Sequence, residues 1–400
     1  MWSLINKSFI YGAARTPIGK FNGSLSQVSA PELASVAIQG AVRRSRVSPN
    51  KITHLIFGNV LSSGLGQAPA RQAAINAGLP ISVDCMTVNK VCGSGLKAVM
   101  LADNLIRLKE GEFIVAGGME NMSLSPLLTP RGTGGAPAVK SPPLDSMVHD
   151  GLWDSFGGCH MGEIAESIAE KGKYSREDQD GYAMQSYRRA RKAHDQGLFS
   201  KEIVPDRTFA GGRQVLADND EQPYAHNLEN IAKLPPGFRK EGGTLTPGNA
   251  SSLNDGAAAL VIGPRHSLLN PMASIVGHAS HSMDPDQFPL APVEAIYKLL
   301  DAWKTSLDDI DLFEINEAFA VTAMAVVDRL GVPLEKVNVH GGSAALGHPI
   351  GALGARILVT LLYALKRRHL RRGIAAICIG GGEAVALGVE IAEAALSPLT

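Results

Sequence analysis

What most constrains this chain is an order of segments that recurs. Residues 52–59 (ITHLIFGN) resemble residues 310–316 (IDLFEIN). Val88-Asn89 leads into a Gly-rich turn, an apolar helix, a strand and a Gly-Gly-x-Glu, and Val337-Asn338 leads into the same series. The second copy is longer through an insertion that carries residues 344–354. An internal duplication, with two similar halves packed together, is the economical reading; chance similarity between short apolar strands is the alternative. The length of 400 residues agrees, since a single hydrophobic core stops growing well short of it.

Within each copy, strand-like runs alternate with helix-like ones. Residues 54–60 form an apolar run, and residues 69–78 then have the Pro start and Gly stop of a short helix. Residues 85–89 read as a strand, Ser94–Leu108 as an apolar helix, and 113–116 as a buried strand closed by Gly117-Gly118. Such alternation predicts α/β layers around largely buried sheets. Between the copies, residues 123–143 are dense in Pro, Gly and Ser and read as loop. Ser175-Arg-Glu-Asp178 is a capping-box pattern opening a basic helix that runs to Gly197, and residues 213–249 are polar and irregular. The expected organisation is a first half over residues 1–121, an inserted loop domain over 122–250, a return strand to the first half within 251–270, and a second half over 271–400. Long ordered excursions of this kind usually serve a site.

Composition narrows the partners. With 38 Lys+Arg against 38 Asp+Glu there is no global field to draw in nucleic acid or a membrane surface, so an anionic ligand must be held locally. Apolar runs such as 374–379 are far below the roughly 20 residues of a membrane span. The opening MWSLINKSFIYGAARTPIG lacks the apolar core of about 7–15 residues that marks a secretory signal, and the final Ser-Pro-Leu-Thr is no retention or peroxisomal address, so a cytoplasmic location is expected. Cys85, Cys92, Cys159 and Cys378 show no CxxC spacing and no His partners at zinc-finger distances. No metal site is expected, and in a reducing compartment the four would be free thiols.

Four side chains could carry chemistry. Cys92 lies in Asn89-Lys-Val-Cys-Gly-Ser-Gly-Leu-Lys97, where a strand ends, glycines turn the chain, and a helix begins. A thiol at a helix N-terminus can have its pKa lowered, and the flexible turn would let its own amide donate to an oxyanion. His348, between Gly347 and Pro349, should project from a loop just ahead of a helix, the counterpart of the loop bearing Cys92. Cys378 ends the strand 374–379 and precedes Gly380-Gly-Gly382, the expected counterpart of Gly117-Gly118. A thiol there could act as acid/base beside three backbone amides, with an oxyanion site next to it. Asn316 sits where a strand gives way to Glu-Ala-Phe-Ala320, and its amide could hold a water or a substrate oxygen. The bland readings are a small buried hydrophobe for each cysteine, a turn hydrogen bond for His348 and a helix cap for Asn316.

Taken in order along the whole chain, VNKVCGSGLKA, GGMENMS, NEAFA, GGSAALGHPIGALGARI and CIGGG resemble the signature segments of the thiolase family, and within it those of acetyl-CoA acetyltransferases. The resemblance implies a five-layered αβαβα fold of two duplicated halves with an inserted loop domain. It implies Claisen condensation of two acetyl-CoA to acetoacetyl-CoA plus CoA, and the reverse thiolysis, through an acyl group carried on Cys92. His348 would activate Cys92, and Cys378 would take the proton from the second substrate's α-carbon. Asn316, through a water, and His348 would form one oxyanion hole; the amides of Cys92 and Gly380 would form the other. Leu152, His160, Met161, Ala250, Ser251 and Phe319 would surround the coenzyme, which is substrate and product, with no resident cofactor. A homo-oligomer, a dimer or a dimer of dimers, is also implied.

Two departures from the family pattern bear on the substrate. Pro223-Tyr224 stands where the family usually has an Arg near the adenine end. Residues 288–292 (FPLAP) stand where it has Met-Gly-Thr-Gly-Pro near the acyl end, so Phe288 and Leu290 bear on acyl length. The rival readings are a degradative 3-ketoacyl-CoA thiolase of broader chain length and a catalytically silent scaffold. Ketoacyl synthases of the Cys-His-His type are disfavoured by Cys378, and silence is disfavoured by the retention of Cys92, His348 and Cys378.

Overall fold

The computed structural model describes residues 7–129, 131–132, 142–210 and 213–392. The opening residues 1–6, part of the 123–143 loop and the final Ser-Pro-Leu-Thr lie outside the described residues. Nine strands make the central sheet: β1 (Ser8–Arg15), β2 (Ile52–Gly58), β3 (Asp84–Val88), β4 (Phe113–Asn121), β5 (Asn254–Gly263), β6 (Ala273–Ser282), β7 (Leu312–Ile315), β8 (Arg372–Ile379) and β9 (Glu383–Ile391). Their spatial order is β7-β8-β9-β6-β1-β5-β4-β2-β3, with a two-residue strand Gly19–Lys20 paired beside β5.

That order is palindromic, as a duplication requires. Read outward from the centre, β1-β5-β4-β2 matches β6-β9-β8-β7 in both position and direction. β1·β5 and β6·β9 are antiparallel, as are β5·β4 and β9·β8, while β4·β2 and β8·β7 are parallel. β3 runs parallel beside β2, and in the second copy only the bridge Phe313↔Val337 occupies that place. The segments 52–59 and 310–316 thus hold equivalent strands. The two halves join through three residue pairs, Ser8, Phe9 and Ile10 against Ile275, Ser274 and Ala273.

Successive strand residues point to opposite faces, and both faces are covered, which is why these strands are apolar throughout. Leu55 and Phe57 of β2 pack with α1 (Ala30–Ser45) and α2 (Pro69–Asn76), whereas Ile56 packs with α3 (Ser94–Leu108). The same split divides Val115 from Ile114 and Ala116, and Ala259 from Ala258 and Leu260. On the far side, Ile374 and Ala376 of β8 pack with α6 (Ala291–Trp303) and α7 (Ala320–Leu330), while Ala375 and Ile377 face the middle. Three cores in five layers result: α1/α2, half-sheet, α3 with α9 (Ile350–Arg367, just after the one-turn α8, Ser343–Leu346), half-sheet, α6/α7. The middle helix α9 (Ile350–Arg367) is buried along nearly its whole length, so it is apolar on every side.

Glycines let this middle layer close. A Cβ on Gly118 would stand 2.1 Å from the Gly351 carbonyl oxygen, and one on Gly354 would stand 2.5 Å from the Leu96 nitrogen. This corrects the reading of Gly117-Gly118 as the end of a strand: β4 runs through both to Asn121 because they admit neighbouring backbone. Gly380-Gly-Gly382, in contrast, forms the turn from β8 to β9, with Gly381 and Gly382 at positive φ. The two glycine groups are therefore not structural counterparts.

The excursion between β4 and β5 carries α4 (Met161–Gly172) and α5 (Arg176–Asp195), and Ser175 and Asp178 form the expected capping box of α5. It is strapped to the first half by Arg15, whose buried guanidinium meets Glu202 at 2.7 Å and Asp220 at 2.7 Å. Among the described residues no helix is long and apolar enough to cross a membrane.

Candidate active site

The excursion and the ends of β7 and β8 enclose a cavity of about 550 Å³. Its wall is mostly apolar, with Phe238, Phe288, Phe319, Met147, Met161 and Leu152, and among its polar groups are Cys92, His348, Cys378 and the Gly380 backbone. The sequence scatters these four over nearly 290 positions, and the duplication brings them together, because the turn before α3 and the turn before α9 meet in the middle layer. Three other cavities, beside Val42, Tyr182 and His340, gather no such set of thiols and imidazole.

Cys92 sits in the turn ahead of α3, and Val91 before it is held at φ 45, a left-handed conformation uncommon for a β-branched residue. α3 itself starts at Ser94, so the thiol stands short of the helix end. The Gly380 amide and the Cys92 amide donate to the sulfur, yet burial outweighs both and pushes the thiol up to about 11, with Glu120 adding to the rise. The expectation of a lowered pKa is thus corrected: desolvation in an apolar wall exceeds the effect of the dipole and amides. Cys92 is a neutral thiol until a base takes its proton.

His348 lines the same cavity and is in a state to accept that proton. It lies between Gly347 (φ 95) and the N-cap Pro349, and its backbone N–H donates to Asn254 Oδ1 at 2.9 Å. Burial lowers its pKa to about 4, against a backbone hydrogen bond that raises it, with Arg356 lowering it further. The ring is therefore neutral at neutral pH and has a free lone pair for a thiol proton.

Cys378, the next-to-last residue of β8, is 1 % exposed. Burial first, and then the neighbouring Cys92, push its pKa far up, while the Asn316 side chain lowers it. Asn316 follows β7, donates from Nδ2 to the Cys378 sulfur at 3.7 Å, and accepts from the Ser343 hydroxyl at 2.8 Å. It lies behind Cys378 and is not itself part of the cavity wall.

The coenzyme-side expectations converge on the same space. Leu152, His160, Met161, Ala250, Ser251, Phe288 and Phe319 all line the cavity. His160 caps α4 by accepting from the Gly162 amide and stacks on Phe238 at 4.8 Å. Ala250 bridges Phe319, and Ser251 donates twice to the Ala318 carbonyl. Leu290 is buried in the same cluster as Phe288 but behind the wall. Tyr224 lies apart, half exposed, donating to Asp195 and resting under Arg191.

Sequence reading passed over three groups. Phe238 lies in the polar 213–249 stretch, where an aromatic after Pro-Pro-Gly was the available signal. Glu120 is buried and raised to about 7, and it accepts from Asn59 Nδ2 and from the amides of Val60, Leu61 and Gly351, tying the start of α9 to the first half. Arg356 is a lone charge inside an apolar helix, which obliges a buried partner.

A neutral thiol and a neutral imidazole on one cavity wall, a second thiol beside an amide donor, and the Gly380 amide on the first sulfur can pass an acyl group from one thioester to another and move a proton at carbon. Comparison with known proteins agrees. The model of the thiolase N-terminal domain matches residues 8–266, and that of the thiolase C-terminal domain matches residues 269–391. Acetyl-CoA acetyltransferase 2 of Arabidopsis thaliana is 47% identical over 388 residues, covering 96% of each chain. The crystal structure of the Bacillus anthracis acetyl-CoA acetyltransferase superposes with a TM-score of 0.93 at 40% identity, covering 97% of this chain and 99% of that one. A thiolase of Ascaris suum in complex with coenzyme A superposes with a TM-score of 0.89 at 39% identity, covering 96% and 100%. The duplicated fold, the cavity and these likenesses over nearly the full length lead to one conclusion: the chain belongs to the thiolase family, and it is an acyltransferase.

Proposed function

We propose that the chain interconverts two acetyl-CoA with acetoacetyl-CoA and free coenzyme A through an acetyl group carried on Cys92. The observation that carries this reading is the convergence of Cys92, His348, Cys378 and Gly380 in one largely apolar cavity. The Ascaris suum relative, which holds coenzyme A on the same fold, supports the ligand class.

The Cys92 sulfur attacks the thioester carbonyl as its proton passes to the His348 ring, and the tetrahedral oxygen is held by the amides of Cys92 and Gly380. The carbon–sulfur bond to coenzyme A breaks, and Cys378 gives its proton to the departing thiolate. Cys378 is then itself a thiolate, and its high proton affinity makes it a strong base. It takes the α-proton of the second acetyl-CoA, while His348, now protonated, and Asn316, through a water, hold the enolate oxygen. The enolate carbon attacks acetyl-Cys92, the Cys92 thiolate leaves, and His348 returns its proton. Every proton is back in place after one turnover, so no resident cofactor is needed and coenzyme A is only substrate and product. A cytoplasmic location and a homo-oligomeric assembly belong to the same proposal.

Phe288 in the wall beside Cys378 favours a second reading in one respect, a preference for another acyl length, as in degradative 3-ketoacyl-CoA thiolases. Initial thiolysis rates with acetoacetyl-CoA and with longer 3-ketoacyl-CoAs decide between them. The proposal expects acetoacetyl-CoA to have the highest kcat/KM; a clear preference for six or more carbons would transfer the assignment to the second reading.

A further inference from the structure

Beneath the cavity runs a chain of hydrogen bonds that all point one way, from Arg356 through Ser343 to Asn316. Arg356 of α9 is 0 % exposed. Its Nη2 donates to the Ser343 hydroxyl at 3.0 Å, while Nε and Nη1 make no hydrogen bond among the described residues. Its carboxylate neighbour Glu314 is 3.8 Å away, too long for a hydrogen bond. Ser343, equally buried, donates to Asn316 Oδ1 at 2.8 Å, and Asn316 Nδ2 faces the Cys378 sulfur at 3.7 Å. Burying a guanidinium with two of its nitrogens unpaired is costly, and an apolar residue would suit this helix better for stability alone.

The polarity of the chain accounts for the arrangement. A guanidinium only donates and does not lose its proton, so the Ser343 oxygen must accept. The one Ser343 proton goes to the Asn316 carbonyl oxygen, the acceptor found for it among the described residues, and this donation holds that oxygen toward Ser343. The Asn316 NH₂ is thereby turned toward Cys378 and the oxyanion side. Without the cation, the Ser343 hydroxyl could rotate and the amide could invert, presenting an oxygen to a sulfur that must become an anion.

Resting on the acyl-transfer reading above, we infer that Arg356 and Ser343 are positioning residues: they lock the Asn316 amide in its donating orientation, and through it support the condensation half of the reaction. Neither touches the cavity. In that reading acetylation of Cys92 relies on the Cys92 and Gly380 amides, whereas the enolate relies on Asn316, so the two steps should separate.

The test is Ser343→Ala, with Arg356→Lys as a second variant that keeps the buried charge but not the fork. Acetylation of Cys92 is followed by quenched-flow mass spectrometry, and condensation by acetoacetyl-CoA formation. Ser343→Ala should slow condensation about 100-fold, the lower end of the cost of losing one oxyanion donor, and acetylation less than about threefold. In an Asn316→Ala background the same substitution should change condensation less than about twofold, because it acts only through that amide. Equal losses in both steps, undiminished condensation in Ser343→Ala, or a full further loss in the Asn316→Ala background would each overturn the positioning role. Absence of acetyl-Cys92 in the wild-type enzyme would instead sink the acyl-transfer reading itself, so the two failures are distinct.

Discussion

Phe288 offers a way to change the substrate range without touching a reacting group. Its ring is 2 % exposed, lines the cavity and packs in one cluster with Cys378, Phe319 and Ile164. Phe288→Ala removes the ring from that wall. A six-carbon 3-ketoacyl-CoA could then bury the two methylenes that acetoacetyl-CoA lacks, at about 0.8 kcal/mol each. The sum, about 1.6 kcal/mol, corresponds to roughly a 15-fold rise in the ratio of kcat/KM for six-carbon over four-carbon substrate. The truncation also costs about 3–5 kcal/mol of stability, so thiolysis rates should be read below the denaturation range established for the variant. Phe288→Met, which fills the space with a flexible chain, should give an intermediate ratio at a smaller cost in stability. If both variants fold and the ratio stays at the wild-type value, Phe288 does not bound the acyl end, and the explanation of chain length by this wall is wrong.

The geometry sets four further outcomes. Cys378→Ser should still acquire an acetyl group on Cys92 in single turnover, though more slowly, while formation of acetoacetyl-CoA on adding a second equivalent falls far further; normal condensation would mean that another group is the base. Because His348 titrates near 4 rather than 6.5, acetylation should be flat from about pH 5.5 to 8, and an inflection near 6.5 that His348→Asn removes would contradict the buried neutral ring. The same depression means that the folded state binds the proton less well than the unfolded chain. His348 therefore contributes up to about 3 kcal/mol that is present above pH 6.5 and lost as pH falls toward 4; because His340 is lowered alike, the part lost between pH 7 and 5, about 2 kcal/mol, is read as the difference in denaturant titrations between wild type and His348→Asn. Gly118→Ala would drive a Cβ into the Gly351 carbonyl, lifting the start of α9 and His348 with it, so activity should fall together with at least about 1–3 kcal/mol of stability; an unchanged enzyme would show that the middle layer has slack.

The architecture was legible because it is written in local signals twice over. Apolar strands covered on both faces, Pro starts and Gly stops gave the repeated order, and the palindromic sheet follows from it. The glycine pairs misled because a glycine that ends a strand and one that admits a neighbouring helix look alike in sequence; only the Gly351 carbonyl against Gly118 tells them apart. Cys92, His348 and Cys378 could be named from their turns, but the sign of the Cys92 shift could not, since it depends on how much apolar wall surrounds the sulfur. The chain from Arg356 to Asn316 joins residues 13 and 27 positions apart across helices and a strand end, and no spacing rule finds it. Its one trace was a cation in an otherwise apolar stretch of α9.

The central claim is that Cys92 carries the acyl group, and mass spectrometry of the intact protein after brief incubation with acetyl-CoA tests it most directly. The account predicts a single added acetyl mass, mapped by peptide digestion to Cys92 and absent from Cys92→Ser. No adduct, or an adduct that persists in Cys92→Ser, would contradict it.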